Sequence, residues 1–274
     1  MSNAKTLKTG SLKNDLLDKY DFSNKNALIT GGGSGLGYRF GTVLSSLGAC
    51  VMLADVNEES VQKASNSIHE VSGVDVSYVK MDVTDPESVQ NGFSALDNKF
   101  GPCDILICSA GISGAKWIEE MPPETWKKVI DVNLSGTFFC CQTAAKSMIP
   151  NKWGRIINIA SIASRYAPWP KVFDGGYNYS ASKAGVVGMS TRLAVELAPH
   201  NITVNSISPG ILITPLTEKK VTQPELHQQI VDHVPMGRLG SPEDLDGLVM
   251  YLCSELSGFL TGQEIFIDGG YSLW

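Results

Sequence analysis

The stretch Ala27-Leu-Ile-Thr30-Gly-Gly-Gly-Ser-Gly-Leu-Gly37 decides the fold of this chain. It starts with an apolar run of the kind that forms a buried strand, and the glycines that follow permit a tight turn. Gly31 can make that turn, Gly35 lets a ligand approach the backbone, and Gly37 lets the next helix pack against the strand. The stretch therefore predicts a strand, a glycine-rich loop and a helix in direct succession.

Short apolar runs recur along the chain between longer amphipathic segments. The runs are nearly continuous in Val, Ile and Leu, which is typical of strands covered on both faces. Each intervening segment is long enough to cross over to a parallel neighbour. The pattern predicts an α/β fold, a Rossmann-type doubly wound parallel sheet of about seven strands, in a single domain. The predicted strands are 27–30, 50–55, 74–81, 104–108, 155–160, 203–208 and 265–267, and the predicted helices are 35–47, 57–71, 85–98, 125–149, 177–198 and 241–254.

Composition and charge exclude several classes of protein. With 274 residues and 43% hydrophobic content, the chain can bury one sizeable core, predicted to span residues 23–274 after an N-terminal extension of residues 1–22. The net charge of −6, without clustered Lys and Arg, argues against a nucleic-acid partner. Residues 1–22 contain no long apolar run, so we expect neither a signal peptide nor a membrane span, and a cytoplasmic protein without a membrane partner.

The cysteines and histidines do not form a recognisable metal site or disulfide framework. The six cysteines include no pair separated by two residues, and the chain is too long for a disulfide-stapled scaffold. They are predicted to be reduced and mostly buried. The four histidines are scattered without ligand spacing, so no metal is expected and a zinc-dependent mechanism has no support.

An acidic residue at the end of the second strand completes a dinucleotide-binding pattern. Asp55 lies 24 residues after Gly31, where its carboxylate can accept hydrogen bonds from the ribose hydroxyls of an adenosine. NAD is favoured over NADP, because a 2′-phosphate would meet a like charge and no Arg or Lys directly follows Asp55. Two alternatives stay open: Arg39 can reach back to such a phosphate, or Asp55 can cap the helix that starts at Asn57.

Further motifs follow the glycine-rich loop in a fixed order, and together with it they resemble the short-chain dehydrogenase/reductase family from about residue 23 to the C-terminus. They are Asp82-Val83, Cys108-Ser-Ala-Gly111, Asn133, Ser161, Tyr179-Ser-Ala-Ser-Lys183 and Pro209-Gly-Ile-Leu-Ile-Thr214. The resemblance implies a catalytic tetrad of Asn133, Ser161, Tyr179 and Lys183. It also implies cofactor contacts from Gly31, Ser34, Gly35, Leu36, Gly37, Asp55, Asp82, Val83, Ser109, Ala110, Gly111, Tyr179, Lys183, Pro209, Gly210, Leu212 and Thr214.

The spacing of Tyr179 and Lys183 suits proton transfer between an alcohol and its ketone. Residues at i and i+4 lie on the same face of a helix. A free phenol has a pKa near ~10, and a neighbouring ammonium together with an oxidised nicotinamide favours the phenolate. Tyr166 and Tyr177 have no lysine at this spacing. By the resemblance, Lys183 also binds the nicotinamide ribose, Ser161 orients the substrate oxygen, and Asn133 links Lys183 to solvent through water.

Two segments depart from the family pattern. Cys108-Ser109-Ala110-Gly111 replaces the usual Asn-Asn-Ala-Gly, so the cofactor contact of this loop is less well defined. The stretch 164–178, between Ser161 and Tyr179, is longer than usual and carries Tyr166, Trp169, Phe173 and Tyr177. It is predicted to overhang the substrate pocket or, alternatively, to pack at a subunit interface.

The substrate is predicted only as a class. Thr214-Pro-Leu-Thr217, Pro235-Met236 and the ending Asp268 to Trp274 resemble sugar and polyol dehydrogenases of the family, which favours a polyol or ketose. A bulky hydrophobic ketone or a 3-oxoacyl thioester is the alternative, and a non-catalytic NAD(H)-binding redox sensor is the alternative of another class. Residues 216–236 are expected to cover the substrate, Thr214 to contact the carboxamide and Ile213 to pack on the nicotinamide ring. The resemblance further implies a homotetramer or homodimer, with one interface on helices 125–149 and 177–198 and another on the C-terminal strand.

Overall fold

A seven-stranded, all-parallel sheet with the strand order β3-β2-β1-β4-β5-β6-β7 forms the centre of the molecule. The computed structural model describes residues 14–74, 76–167 and 176–273. It confirms the predicted doubly wound parallel sheet in a single domain. The strands are β1 Asn26–Thr30, β2 Cys50–Asp55, β3 Val76–Lys80, β4 Ile105–Cys108, β5 Gly154–Ile159, β6 Ile202–Pro209 and β7 Glu264–Ile267.

Helices cover both faces of the sheet and begin and end at local signals. Asn57 caps the helix that follows β2, and Gly73, with φ of +67°, ends it. Asp85 caps the next helix, which has Pro86 in its first turn. The helices are α1 Gly35–Ser46, α2 Glu58–Ser72, α3 Pro86–Lys99, α4 Pro123–Ile130, α5 Gly136–Asn151, α6 Tyr177–Leu197, α7 Glu218–Val221, α8 Pro224–Val231 and α9 Asp246–Cys253.

Two apolar cores lie on opposite faces of the sheet because successive side chains of a buried strand point to opposite sides. On β1, Ile29 packs into the core beneath α1 and α9, while Leu28 packs into the core beneath α3 and α5. All three residues Ala27, Leu28 and Ile29 are fully buried. This burial on both faces explains why the strands read as continuous apolar runs rather than alternating ones.

Two predicted helices and the predicted covering segment differ in detail from the structure. The predicted helix 125–149 is α4 and α5 joined by a π-helical turn, Asp131–Ser135. The predicted helix 241–254 starts with a 3-10 turn, Pro242–Leu245, before α9. The covering segment 216–236 contains the short helices α7 and α8. The change from α-helical to π-helical or 3-10 hydrogen bonding depends on tertiary packing, so apolar periodicity does not reveal it.

The end of the N-terminal extension packs against the domain. Phe22 is 2% exposed and its N–H donates to the carbonyl of Leu47 at 2.8 Å. Lys19 forms an ion pair with Glu255 near the end of α9. The core therefore begins at Phe22. In the part of the chain that the structure describes, no helix combines the length and apolarity needed to cross a membrane.

Candidate active site

A cavity of about 800 Å³ lies at the carboxyl ends of the strands, where the strand order reverses between β1 and β4. Open α/β sheets bind ligands at this switch point, and the volume is typical of cofactor and small-molecule pockets. Among the sequence-predicted site residues, only Gly37 and Asn133 do not line it. Those in the lining are Gly31, Ser34, Gly35, Leu36, Asp55, Asp82, Val83, Ser109, Ala110, Gly111, Ser161, Tyr179, Lys183, Pro209, Gly210, Leu212 and Thr214.

The glycine-rich loop between β1 and α1 presents bare backbone to the cavity. Gly31 has φ of +66° and Gly35 has φ of +55°, conformations that favour glycine. A Cβ on Gly37 would lie 2.3 Å from the carbonyl oxygen of Gly31, so only glycine lets α1 start this close to β1. Ser34, the N-cap residue, makes no side-chain cap, which leaves first-turn N–H groups of α1 for a ligand. This cradle fits the pyrophosphate of a dinucleotide.

Asp55 ends β2 on the cavity wall. Its Oδ2 accepts a hydrogen bond from the N–H of Gly33 at 3.1 Å, and its Oδ1 accepts one from the N–H of Asn57 at 3.0 Å. These bonds orient the carboxylate and use only part of its acceptor capacity. The side chain that caps α2 is Asn57, which accepts from the N–H of Ser60, so the alternative of Asp55 as this cap is wrong.

Arg39 is engaged away from the cavity. Its Nε donates to Asp246 Oδ1 at 2.9 Å, a second guanidinium nitrogen lies 2.5 Å from Asp246 Oδ2, and a third lies 3.6 Å from Glu243. The hydrogen bonds with Asp246 raise the pKa of Arg39. Because a bidentate pair fixes the guanidinium on α9, the structure gives no support to Arg39 as a 2′-phosphate ligand. The residue beside Asp55 in the cavity wall is the apolar Val56.

The loop after β4 is tied to β1 through Thr30. The Oγ1 of Thr30 accepts hydrogen bonds from the N–H groups of Ser109 and Ala110, each at 3.1 Å. A Cβ on Gly31 would lie 2.9 Å from the Cα of Ala110, so the two loops are in direct contact. Cys108, which replaces the first family Asn, is 3% exposed and packs into the core beneath α5. The backbone of Ser109 and Ala110 therefore holds its place without the Asn side chains.

Tyr179, in the first turn of α6, and Ser161, just after β5, meet across the cavity. Ser161 caps a 3-10 turn, and its Oγ accepts from the N–H of Ala163 at 3.1 Å. Burial raises the pKa of Tyr179, and a hydrogen bond from Ser161 opposes part of that rise. The lowering predicted for Lys183 and an oxidised nicotinamide together stays a prediction, and in the chain alone the pKa of Tyr179 lies above its ordinary value. The reason is that burial disfavours the phenolate more than the neighbouring groups stabilise it.

Lys183 is buried below Tyr179 on the same helix face. Its Nζ donates to the carbonyl of Ile159 at 2.6 Å and lies 5.6 Å from the centre of the Tyr179 ring. Burial lowers the pKa of Lys183 to about 8. A Cβ on Gly111 would lie 3.6 Å from this Nζ, so the glycine keeps the lysine open to the cavity. A buried amine with a shifted pKa beside a partly buried phenol is typical of an acid–base site.

Asn133 lies behind the cavity wall in the π-helical turn and is completely buried. Its Oδ1 accepts from the N–H of Ile112 at 2.9 Å, and its Nδ2 donates to the carbonyl of Ile112 at 3.0 Å and to Ser182 Oγ at 3.1 Å. Ser182 Oγ in turn donates to the carbonyl of Tyr179 at 2.7 Å. The side chain of Asn133 therefore ties the loop after β4 to the helix that carries Tyr179.

The stretch 164–178 is anchored at its start on β7. Glu264, whose side chain is 1% exposed, accepts hydrogen bonds from Ser164 and from Ser208 and pairs with Arg165 at 2.5 Å. The ring of Tyr166 packs edge-on against Phe266 with centroids 5.8 Å apart. Trp169 and Phe173, on which both interpretations of the stretch depend, lie outside the described residues. Whether the stretch overhangs the pocket or packs at a subunit interface stays a prediction.

The segment after β6 closes one side of the cavity through Leu212, Thr214 and the residues Pro215, Leu216 and Thr217. Thr217 Oγ1 donates to the carbonyl of Leu212 at 2.5 Å and lies 3.1 Å from Thr214 Oγ1. Ile213, expected to pack on a nicotinamide ring, is 39% exposed and does not line the cavity. The apolar side chains on this wall belong instead to Leu212 and Leu216.

The sequence interpretation missed several residues around the cavity. Among them, Thr30, Ser182 and the carbonyl of Ile159 make hydrogen bonds to predicted site residues. Others enter the lining because α4 lies across the cleft, which no sequence signal indicates. The missed lining residues are Ala54, Val56, Met81, Thr84, Ile112, Glu124, Lys127, Lys128, Asp131, Val132, Ile159, Ala160 and Pro215. Leu216 and Thr217, which also line the cavity, belong to the predicted covering segment 216–236.

Comparison with known proteins identifies relatives along nearly the whole chain. A family model described as enoyl-(acyl carrier protein) reductase matches residues 31–272. The 3-oxoacyl-[acyl-carrier-protein] reductase FabG of Aquifex aeolicus (strain VF5) is 36% identical over 90% of this chain and 96% of its own. An NAD-dependent glycerol dehydrogenase of Listeria innocua is 33% identical over 93% of this chain and 96% of its own. The crystal structure of gox2181 superposes with a TM-score of 0.90 at 36% identity, covering 94% of this chain and 99% of that protein.

Proposed function

Because the chain belongs to the short-chain dehydrogenase/reductase family and is an oxidoreductase acting on CH–OH groups, we propose that it interconverts a polyol and its ketone with NAD. The observation that carries the proposal is the convergence of Ser161, Tyr179 and Lys183 in the same cavity as the glycine-rich loop. Proton-handling groups and a dinucleotide cradle in one cavity are what hydride exchange with an alcohol requires. The intact set argues against a non-catalytic redox sensor.

The lining residues would suit a dinucleotide cofactor lying along the cavity between Asp55 and Lys183. The backbone of Gly31, Gly35 and Leu36 would hold the pyrophosphate, Asp55 would hold the adenosine ribose, and Asp82 with Val83 would border the adenine. The other half would lie toward Lys183, with Pro209, Gly210, Leu212 and Thr214 along the nicotinamide. When bound, the nicotinamide supplies the site of hydride transfer and, in its oxidised form, a positive charge.

The residues of this chain handle the proton and orient the substrate. Ser161 donates a hydrogen bond to the substrate oxygen and holds it against the Tyr179 hydroxyl. In oxidation, Tyr179 accepts the proton from that oxygen as the carbonyl forms; in reduction, it donates the proton back. Because burial raises the pKa of Tyr179 in the chain alone, the phenolate forms efficiently only when positive charge enters the cavity. Lys183 would hold the nicotinamide ribose and add its own positive charge.

The preference for NAD rests on the surroundings of Asp55. Val56, which is 60% exposed, follows Asp55, and Arg39 is held by Asp246, so neither of these residues offers a free cation to offset a 2′-phosphate there. A phosphate dianion beside this carboxylate would meet strong repulsion. The glycerol dehydrogenase relative is named as NAD-dependent, which supports the same choice.

The variant Asp55→Asn tests the cofactor preference. We expect the ratio of kcat/KM with NADH to kcat/KM with NADPH to fall by about tenfold or more, because the like charge against a 2′-phosphate is removed. Asp85→Asn is the matched control, since Asp85 caps α3 outside the cavity and Asn is an equally good cap. A wild-type enzyme that uses NADPH better than NADH would contradict the proposal.

The substrate class is tested by steady-state turnover with a panel. NADH oxidation would be followed with ketoses, small hydroxyketones, aryl ketones and 3-oxoacyl thioesters, and NAD reduction with polyols. We expect the highest kcat/KM for a polyol and ketose pair, as in the glycerol dehydrogenase relative. The second candidate, a 3-oxoacyl thioester, is favoured by the similarity to FabG. Turnover confined to thioesters would replace the polyol proposal by this one.

We also propose a homotetramer or homodimer of cytoplasmic location. Apolar side chains are exposed on the helices of the expected interface, with Trp126 on α4, Phe138 on α5 and Val195 on α6, and Phe259 is fully exposed before β7. Apolar side chains exposed on these elements are ones that the expected interfaces would cover. Light scattering at micromolar protein is expected to give two or four chain masses, and a monomer would refute the assembly. The six cysteines are free, as a reducing compartment requires.

A further inference from the structure

Asn178 is a completely buried amide directly before Tyr179, and the reaction described above does not use it. Its Oδ1 accepts from the N–H of Tyr179 at 2.8 Å. Its Nδ2 donates to the carbonyl of Gly114 at 3.1 Å and lies 3.7 Å from the sulfur of Met121. Tyr179 belongs to the first turn of α6, where N–H groups have no partner within the helix, so Asn178 supplies one.

The segment Ile112–Gly114 is held at both ends by buried amides. Asn133 binds the N–H and carbonyl of Ile112, and Asn178 binds the carbonyl of Gly114. Ile112 lines the cavity next to Gly111. The segment also packs tightly, since a Cβ on Gly114 would lie 2.9 Å from Thr125 Cγ2. The wall of the cavity at this point therefore has little freedom to move while both amides are in place.

Both amides are also linked by hydrogen bonds to the backbone of Tyr179, one at its N–H and the other at its carbonyl. Asn178 accepts its N–H directly, whereas Asn133 reaches its carbonyl through Ser182. The two routes join the same wall segment to the same catalytic residue. Hydrogen bonds of defined length therefore set the position of Tyr179 relative to the wall segment, in addition to apolar packing.

We propose that Asn178 is a positioning residue, which sets the distance between the Tyr179 hydroxyl and the wall segment Ile112–Gly114. It does not touch the reacting atoms and is not part of the cofactor cradle. The inference rests on the proposed role of Tyr179 as acid and base. Loss of the Asn178 amide misplaces the Tyr179 phenol relative to a bound alcohol, and a displacement of about 1 Å can cost about a hundredfold in rate.

Two substitutions separate the contacts of Asn178. Asn178→Ala removes both hydrogen bonds, whereas Asn178→Asp keeps an acceptor for the N–H of Tyr179 and loses the donor to Gly114. We expect both variants to lower kcat by about ten- to a hundredfold, with the Kd for NADH unchanged within about twofold. Hydrogen exchange of the backbone amides of residues 111–114 is expected to become faster in both variants.

Asn205→Ala is the matched structural control. Asn205 is 1% exposed on β6, outside the cavity lining, and its amide makes the same two kinds of bond, to the carbonyl of Leu260 at 2.8 Å and from the N–H of Gln263 at 3.1 Å. We expect it to lower Tm about as much as Asn178→Ala while keeping kcat. A kcat for the Asn178 variants no lower than for this control, or a parallel loss of NADH affinity, would overturn the inference. If Asn178→Ala does not fold, the nearly isosteric Asn178→Asp decides in the same way.

The comparison uses whichever compound of the panel the wild-type enzyme turns over best. If the enzyme turns over only thioesters, the polyol proposal is overturned. The effect of the Asn178 variants on kcat can still be measured with those thioesters. Turnover of polyols with unchanged kcat in the Asn178 variants would overturn the positioning role and leave the proposed function standing. The exchange rates of residues 111–114 report on the wall segment without any substrate.

Discussion

Replacing Tyr179 by phenylalanine is expected to lower kcat for alcohol oxidation about 10³-fold while NADH still binds. Removal of a positioned acid–base group costs this order of magnitude. The phenyl ring keeps the packing of a partly buried side chain on α6, so the fold and the glycine-rich cradle are retained. Rates with the best substrate of the panel and the Kd for NADH from fluorescence titration would be measured on the same preparation.

Tyr177→Phe is the matched control for this prediction. Tyr177 starts the same helix but is 41% exposed and does not line the cavity. Its variant is expected to keep kcat within about twofold, since surface substitutions away from the site have small effects. Equal losses in the two variants, or full activity of Tyr179→Phe, would show that the proton is handled by another group.

Replacing Lys183 by methionine is expected to reduce activity and to raise stability at neutral pH. The variant loses the cation that holds the ribose and supports the phenolate, which we expect to lower kcat/KM about a hundredfold or more. It also removes a buried ammonium, whose pKa is lowered from 10.5 to about 8 by burial. This shift corresponds to about 3 kcal/mol against folding when the lysine is protonated in both states. The lost hydrogen bond to Ile159 offsets about 1 kcal/mol of the gain.

The stability effect has a defined dependence on pH. Between about pH 8 and 10.5 the unfolded chain keeps the Lys183 proton that the folded chain has released, so wild-type stability rises with pH in this window. The advantage of Lys183→Met is therefore full below about pH 8 and shrinks by about 1.4 kcal/mol per pH unit above it. Urea unfolding of both proteins from about pH 7 to about pH 10 measures this difference.

Lys146→Met, on the exposed side of α5, serves as the control for the pH series. Its difference from the wild type is expected to stay constant over the same range. If the advantage of Lys183→Met did not change with pH, or if the variant were less stable than the wild type at neutral pH, burial of the charged lysine would not be the cause. A catalytic lysine that costs stability is an instance of the general conflict between activity and stability.

Local sequence determined the fold and most of the candidate site. Strand, glycine turn and helix follow one another within Ala27 to Gly37, and the Tyr179 and Lys183 spacing is a property of one helix. Such features depend on neighbours in the chain, so their physical causes are complete within a short stretch. The carboxyl ends of parallel strands meet at one edge, which explains why motifs spread over the chain could be assigned to one cavity before its shape was known.

Only the tertiary structure decided which partner each polar group takes. Arg39 pairs with Asp246, 207 positions away, and this contact engages the guanidinium that the sequence left open as a 2′-phosphate ligand. Asn178 binds Gly114, 64 positions away, and the lining from α4 depends on where that helix crosses the cleft. The pKa of Tyr179 also depends on tertiary structure, since burial by the assembled fold raises it and Ser161, from another element, opposes part of the rise. Spacing along the chain determines which groups can share a helix face, whereas solvation and distant partners arise only when the elements pack.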